Sequence, residues 1–508
     1  MTSRQFAVTG ISITPVEPLV EKNLFRQRDR APGRIPDFED VRARLPIPVL
    51  PEDTQWESIY WTSWDLFWRS LKQPADGSGL SAGYNQPKPG RYIEMGRSGL
   101  VASLAGYIPG SFSLVEFLDN FYATQQDDGF ICREIDPASG KAVHDAYNPN
   151  STGPNLLAWT EWRHFRLTGD KDRVASVFWP LLALHRWSRA NRTWRNGLYW
   201  TTAYASGLLN QPRVSGSRYH HNHWAWIDAS AQAMINCAML ERMASVLGEQ
   251  EQVNDVTSER EKLVRVINAE MWNEELHFYQ DIGPDNGFSD VKSIAAYWTL
   301  LNPYLVPKER LIPFVQHLRD AWSFHTENVV PSLSADADAY NGRTGNGWRG
   351  AVWPGLTYMV LRGLHANEQT NLAHKLAVNQ LEVVRRVYED TGFFWENYAP
   401  EEAVPGDPSE VDNSGTTASA IIPMVLESVL GLAVDWPLRQ ITWRRLLDRQ
   451  QSYGVRNLPL GNEGTIDLVG DDESVHVRTD APITLAIYGD HETIQVAVPA
   501  GDFNISFK

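Results

Sequence analysis

From about residue 54 to 435, apolar side chains recur at spacings of three and four, the period of a helix that buries one face. Segments 56–68, 156–166, 231–247, 258–272 and 372–388 carry the pattern most clearly. Loops holding Gly, Pro, Asn and Asp separate them. Helices in pairs with long loops between them fit a barrel of helical hairpins. After about 436 the period changes to two. Segments 465–469, 474–479, 483–488 and 493–498 alternate apolar and polar residues between turn residues, which predicts a small antiparallel β-domain. Residues 1–50 are rich in Pro and Arg and weakly periodic. Within 45–51, Pro46, Pro48 and Pro51 exclude a helix and a central strand, so this stretch is expected as an extended arm packed on the helical region. The expected layout is an arm over 1–50, a helical catalytic domain over 51–435 and a β-sandwich-like domain over 436–508.

Composition narrows the class. A 43% hydrophobic share supplies a core, and 21% charged residues exclude a disordered chain. The net charge of -16 argues against nucleic acid or an anionic membrane as partner. Twenty tryptophans are more than a core of this size requires, and the excess suits a sugar-binding cleft. Cys132 and Cys237 sit among apolar neighbours and read as free buried thiols. The first ten residues lack a secretory apolar run and no long apolar span follows, which reads as a cytoplasmic enzyme. Nothing in the sequence decides the oligomeric state.

The chemistry concentrates in two stretches. Trp395-Glu396-Asn397-Tyr398-Ala399-Pro400 sets one carboxylate among rings, where partial desolvation tunes a general base. Upstream, Gly347-Trp348-Arg349-Gly350-Ala351-Val352-Trp353-Pro354 brings two tryptophans and an arginine, whose faces and N–H groups suit sugar rings and hydroxyls.

These stretches resemble the W-R-G-x-V-W-P and E-N-Y-x-P signatures of glycoside hydrolase family 63 and its trehalase-like, six-hairpin relatives. The resemblance covers roughly 90 to 430. It implies an all-α (α/α)6 barrel, here with a C-terminal antiparallel β-domain, and hydrolysis with inversion at the anomeric carbon. It assigns Glu396 as general base and Trp348, Arg349, Trp353 and Tyr398 as substrate-binding residues.

Two positions depart from the family pattern. The family's general acid is the Asp of an S-G-x-D-N-x-P-R motif. Here Ser206-Gly207-Leu208-Leu209-Asn210-Gln211-Pro212-Arg213 keeps the frame but places Leu209 where that Asp stands. Near Glu94-Met95-Gly96-Arg97, Gly96 falls at or beside the Asp of an early W-D motif. Trp200, Tyr204 and Gly207 of the first frame, and Arg97 of the second, are candidate substrate contacts. The stretch 219–228 offers replacement acids: Asp228, read otherwise as a helix cap, and His223 or His221. Glu94 and Asp145 are further candidates. Asp65 reads as half of a helix-surface pair. Arg97 and Arg133 read as helix-end ion pairs or as cleft charges suiting a carboxylated sugar. The three histidines lack zinc-site spacing, so no metal and no cofactor are expected. The leading function is an inverting glycoside hydrolase on a non-standard glycoside. The alternatives are a sugar lyase, hydratase or epimerase, or an inactive sugar-binding homologue.

Overall fold

A computed structural model describes the chain except residues 1–16, 28–32, 52–53, 87–89, 111, 414, 448–450, 490–492 and 507–508. The reading of the first ten residues therefore lies outside the described ones. The longer helices are α1 (Trp56–Ser70), α2 (Met95–Ala102), α3 (Leu157–Thr168), α4 (Lys171–Asn191), α5 (Ile227–Leu247), α6 (Asn254–Glu270), α7 (Lys308–Gln316), α8 (Pro354–Ala366), α9 (Thr370–Thr391) and α10 (Thr416–Pro423). Their ends follow local chemistry. Gly169, Gly248 and Gly392 close α3, α5 and α9 in the left-handed conformation, where a side chain is strained. Pro354 opens α8, where a missing N–H costs nothing.

The helices touch in a cyclic order. α2 meets α3, α3 meets α5, and α5 meets the 3-10 segment Ile294–Leu301. That segment meets α8, α8 meets α10, and α10 returns to α2. α4 and α6 lie against α5, α9 against α8, and α1 against α10. One apolar core runs through all of them. At its base Glu427 is buried and accepts from Tyr107 Oη at 2.6 Å, Arg362 Nη1 at 2.6 Å and Arg163. Burial pushes its carboxyl up, but the two arginines and the Tyr107 hydrogen bond outweigh that and hold it down at about 2. No helix among the described residues is long and apolar enough to cross a membrane.

The C-terminal region holds two sheets. One is ordered Ile47–Val49, Tyr453–Pro459, Thr465–Gly470, Ser474–Thr479, Gly501–Ser506, all antiparallel. The other is ordered Thr493–Val498, Ile483–Tyr488, Gln440–Arg444, Leu432–Asp435. In it Gln440–Arg444 and Ile483–Tyr488 run parallel, which corrects the wholly antiparallel expectation. A parallel pair needs a crossover, and three strands of the first sheet, Tyr453–Pro459, Thr465–Gly470 and Ser474–Thr479, lie between these two in sequence. The strand Ile47–Val49 comes from the proline-rich arm. It sits at a sheet edge, where Pro48 withholds no ladder hydrogen bond from a second neighbour.

Candidate active site

The loops 341–353 and 395–412 form one unit. Gly345 takes φ +77°, and a Cβ there would lie 2.3 Å from the Ala351 backbone, so only glycine lets the loop fold back on itself. Within this loop Trp348 stacks on Trp353, with ring centroids 3.9 Å apart and planes 11° from parallel. The Trp353 indole N–H donates to Gly347 O at 3.3 Å. Val352 and Tyr398 exchange two backbone hydrogen bonds of 2.9 Å, joining the Glu396 loop to the tryptophan loop.

The loop with the altered acid motif docks on the same unit. Asn210 Nδ2 donates to Asn346 O at 2.8 Å, Trp348 N donates to Asn210 Oδ1 at 2.9 Å, and Arg349 Nε donates to Asn210 O at 3.2 Å. Leu209 is 39% exposed on that loop. Gly207 turns the chain into it at φ +85°, and a Cβ there would meet nothing within 4 Å, so its demand is conformational.

Glu396 is half-buried. Its N–H donates to Glu410 O at 2.9 Å. Burial pushes its carboxyl up, the charge of Arg97 opposes that, and Asp412 and Glu410 push it further up. Asp412 itself takes the Thr416 and Thr417 N–H groups at the start of α10. Arg97 lies in the first turn of α2. Its Nη2 is 3.8 Å from Glu94 Oε2, and its Nη1 is buried without a hydrogen-bond partner among the described residues. Glu94 ends the short strand Ile93–Glu94 and pairs across it with Glu134.

Glu134 belongs to a group that sequence reasoning missed. It is 2% exposed and accepts from Tyr204 Oη at 3.4 Å, with His144 Nε2 at 2.8 Å and Arg133 Nη2 at 3.3 Å. Arg133 also donates to Tyr204 O at 3.2 Å and lies 5.1 Å from that ring's centre. Burial, then the Glu134 charge, pushes the Tyr204 hydroxyl up. No local pattern signalled it, because its partners Tyr204 and His144 come from other segments.

Two assignments change. Tyr398 is fully buried, and its hydroxyl accepts from Trp395 N at 3.2 Å, so it braces the Glu396 loop instead of meeting substrate. Asp228 is neither a helix cap nor a free acid. Trp226 is the N-cap of α5, and both Asp228 oxygens are engaged, by Arg213 Nη1 at 2.8 Å, Arg213 Nη2 at 3.1 Å and Ala229 N at 3.0 Å. His223 is exposed at φ +65°, in a group with His221, 5.0 Å away between ring centres, and His220, 6.0 Å away. These rings cover Trp194 and Trp200.

Trp200 is 7% exposed and lines a cavity of about 60 Å³ with Pro154, Thr201, Ser206 and Asp228. Asp145 is exposed, and Asp65 pairs with Arg69 at 2.6 Å on the α1 surface. Among the described residues His185, Cys237 and Glu259 bring ligand-type atoms within 4.8 Å of one another. They already satisfy one another: His185 Nε2 is 2.9 Å from Glu259 Oε2 and 3.3 Å from Cys237 Sγ, and Arg189 Nη1 is 3.4 Å from Glu259. Burial pushes the Cys237 thiol well up, which favours S–H over the thiolate that a metal takes. Both cysteines are free and buried.

Comparison with known proteins bears on this arrangement. An uncharacterized protein of Borreliella burgdorferi is 24% identical over 387 residues, 74% of this chain and 79% of that protein. A probable mannosyl-oligosaccharide glucosidase of Schizosaccharomyces pombe is 28% identical over 266 residues, 49% of this chain but 31% of the glucosidase. The family 63 mannosylglycerate hydrolase of Thermus thermophilus, solved in complex with glucose, superposes with a TM-score of 0.56 at 17% identity, over 72% of this chain and 99% of that one. It shares the fold. The family model for the mannosylglycerate hydrolase MGH1-like glycoside hydrolase domain matches residues 115–409, more than half of the chain. The chain belongs to that family, within glycoside hydrolase family 63, and is a glycoside hydrolase.

Proposed function

We propose that this hydrolase inverts the anomeric carbon of a non-standard glycoside or oligosaccharide, with Glu396 as the base that activates water. The observation that carries the proposal is the electrostatic setting of Glu396. Burial pushes its carboxyl up, in the direction a water-activating base needs, and the charge of Arg97 opposes that. The loop that holds it is joined to the stacked Trp348 and Trp353, which supply a flat apolar face for a sugar ring. The cyclic order of helix contacts supports an (α/α)6 barrel over 51–435. Leu209 and Gly96 take two carboxylates out of the family pattern, so the sugar held here differs from the α-glucose of an ordinary family subsite.

Glu396→Gln keeps the shape of the side chain and removes the base. Turnover is expected to fall at least about 100-fold with the melting temperature unchanged. Proton NMR of the first-formed sugar reports its anomer, and inversion is expected. Near-normal turnover in Glu396→Gln would end the assignment, and a retained anomer would end the mechanism.

A further inference from the structure

An inverting reaction needs a second carboxyl, about 6.5–9.5 Å from the first, that protonates the departing oxygen. Leu209 withdraws it from the family position. The acidic groups around the site can be taken in turn. Asp228 is held by Arg213. Glu134 is sealed by Tyr204, His144 and Arg133. Asp412 accepts the backbone N–H groups of Thr416, Thr417 and Ala418. The Glu410 carbonyl pairs with the N–H of Glu396, so Glu410 belongs to the same wall as the base.

Glu94 differs from all of these. Its side chain is 37% exposed, and its contact is Arg97 Nη2 at 3.8 Å, beyond hydrogen-bond length. Residues 94, 97 and 101 share one face at the start of α2. The α2 helix packs on the beginnings of α8 and α10. A Cβ on Gly355 would meet Leu100 Cδ2 at 3.1 Å and Thr416 Cγ2 at 3.6 Å. α8 begins directly after Trp353, and Thr417 Oγ1 at the start of α10 donates to Trp395 O at 2.7 Å. The Leu100 turn of α2 therefore packs on the helix starts that adjoin the Trp353 and Glu396 loops, and Arg97 in its first turn is close enough to act on the Glu396 carboxyl.

We propose that Glu94 is the proton donor of this active site, opposite Glu396, with Arg97 between the two. The inference rests on Glu396 as base. The Glu94 carboxyl gives its proton to the glycosidic oxygen as the bond from C1 to that oxygen breaks. Glu396 takes a proton from the water whose oxygen bonds to C1. The products are the hemiacetal and the alcohol, and proton exchange with solvent resets both carboxyls.

Two measurements test this. A crystal structure of the wild-type protein gives the separation of the Glu94 and Glu396 carboxyls, whatever the substrate. About 6.5–9.5 Å supports the pair, and more than about 12 Å overturns it. The second uses 2,4-dinitrophenyl and methyl α-glycosides of glucose, mannose and rhamnose with wild type, Glu94→Gln and Glu396→Gln. Glu94→Gln is expected to lose at least about 100-fold on a methyl glycoside and under about tenfold on its dinitrophenyl counterpart, which needs no protonation. The alkaline limb of its pH profile is expected to disappear. Equal loss on both substrates, or loss on neither, overturns the role. Glu396→Gln is expected to fail on both, so near-normal activity in that variant refutes the base while leaving the leaving-group split of Glu94→Gln readable.

Discussion

Arg213 is the most consequential single cation near the site, and its removal makes a sharp test. Its side chain is 1% exposed and holds two buried carboxylates: Asp228 through Nη1 and Nη2, and Asp281 through Nε and Nη2, both at 2.7 Å. One positive charge thus faces two negative ones. The backbone N–H groups of Ile227 and Ala229 and the N-terminal end of α5 offset the remainder. Arg213→Met leaves both carboxylates buried and unmatched, a loss of about 3–5 kcal/mol. Asp228→Asn leaves a balanced Arg213–Asp281 pair and forfeits charge-assisted hydrogen bonds, about 1.5–3 kcal/mol. The order is therefore wild type, Asp228→Asn, Arg213→Met in falling stability. Burial already pushes Asp281 up while Arg213 pulls it down. Without Arg213 the Asp281 carboxyl loses the charge that opposes burial and holds its proton more tightly in the folded state than in the unfolded one. The extra instability of Arg213→Met is then smallest at low pH and grows as pH rises. Thermal unfolding at pH 5 and pH 8 reads both effects. The reasoning fails if Asp228→Asn matches wild type in stability while losing turnover only on glycosides with poor leaving groups, because Asp228 would then be acting as an acid.

Two further outcomes follow from the electrostatics. Arg97→Met removes the charge that lowers the Glu396 carboxyl, so the acid limb of kcat/KM, which tracks ionisation of the base, is expected to move to higher pH; an unmoved limb would separate Arg97 from Glu396. Glu427 is held at about 2 against an ordinary 4.5, so its contribution of about 3 kcal/mol is present above pH 4.5 and drains as pH falls towards 2. Glu427→Gln should melt lower at pH 7 and lose stability less steeply between pH 5 and 3, and a variant as acid-sensitive as wild type would contradict this.

Regular periodicity made the helices and outer strands legible. Segment 372–388 became Thr370–Thr391, and 474–479 became Ser474–Thr479, because burial on one face imposes its own repeat. Pairings between distant segments leave no such repeat. Nothing near Gln440 announces a parallel partner at Thr484, and nothing in 219–228 announces that Arg213 and Asp281 will claim Asp228. The candidate site was readable where one short stretch carries it, as with Trp348 and Trp353, whose rings stack on each other. It was illegible for Glu134, whose partners Tyr204 and His144 come from separate loops. Tyr398 misled for a related reason: a tyrosine beside a candidate base looks the same in sequence whether its ring meets sugar or core.

The strand Ile47–Val49 also sets a timetable for making the protein. Ile47 pairs with Arg456, and Ala43 O accepts from Asn457 Nδ2 at 2.9 Å, so the beginning of the chain waits for its end. At roughly 5–20 residues per second, a ribosome needs roughly 20–80 s between those two points. During that interval the arm has no sheet to join, while the helices behind it can already pack through nearby contacts. Closure of the first sheet is thus a late event in the life of each molecule. A chain released short of residue 454 would leave the strand Ile47–Val49 without its partner.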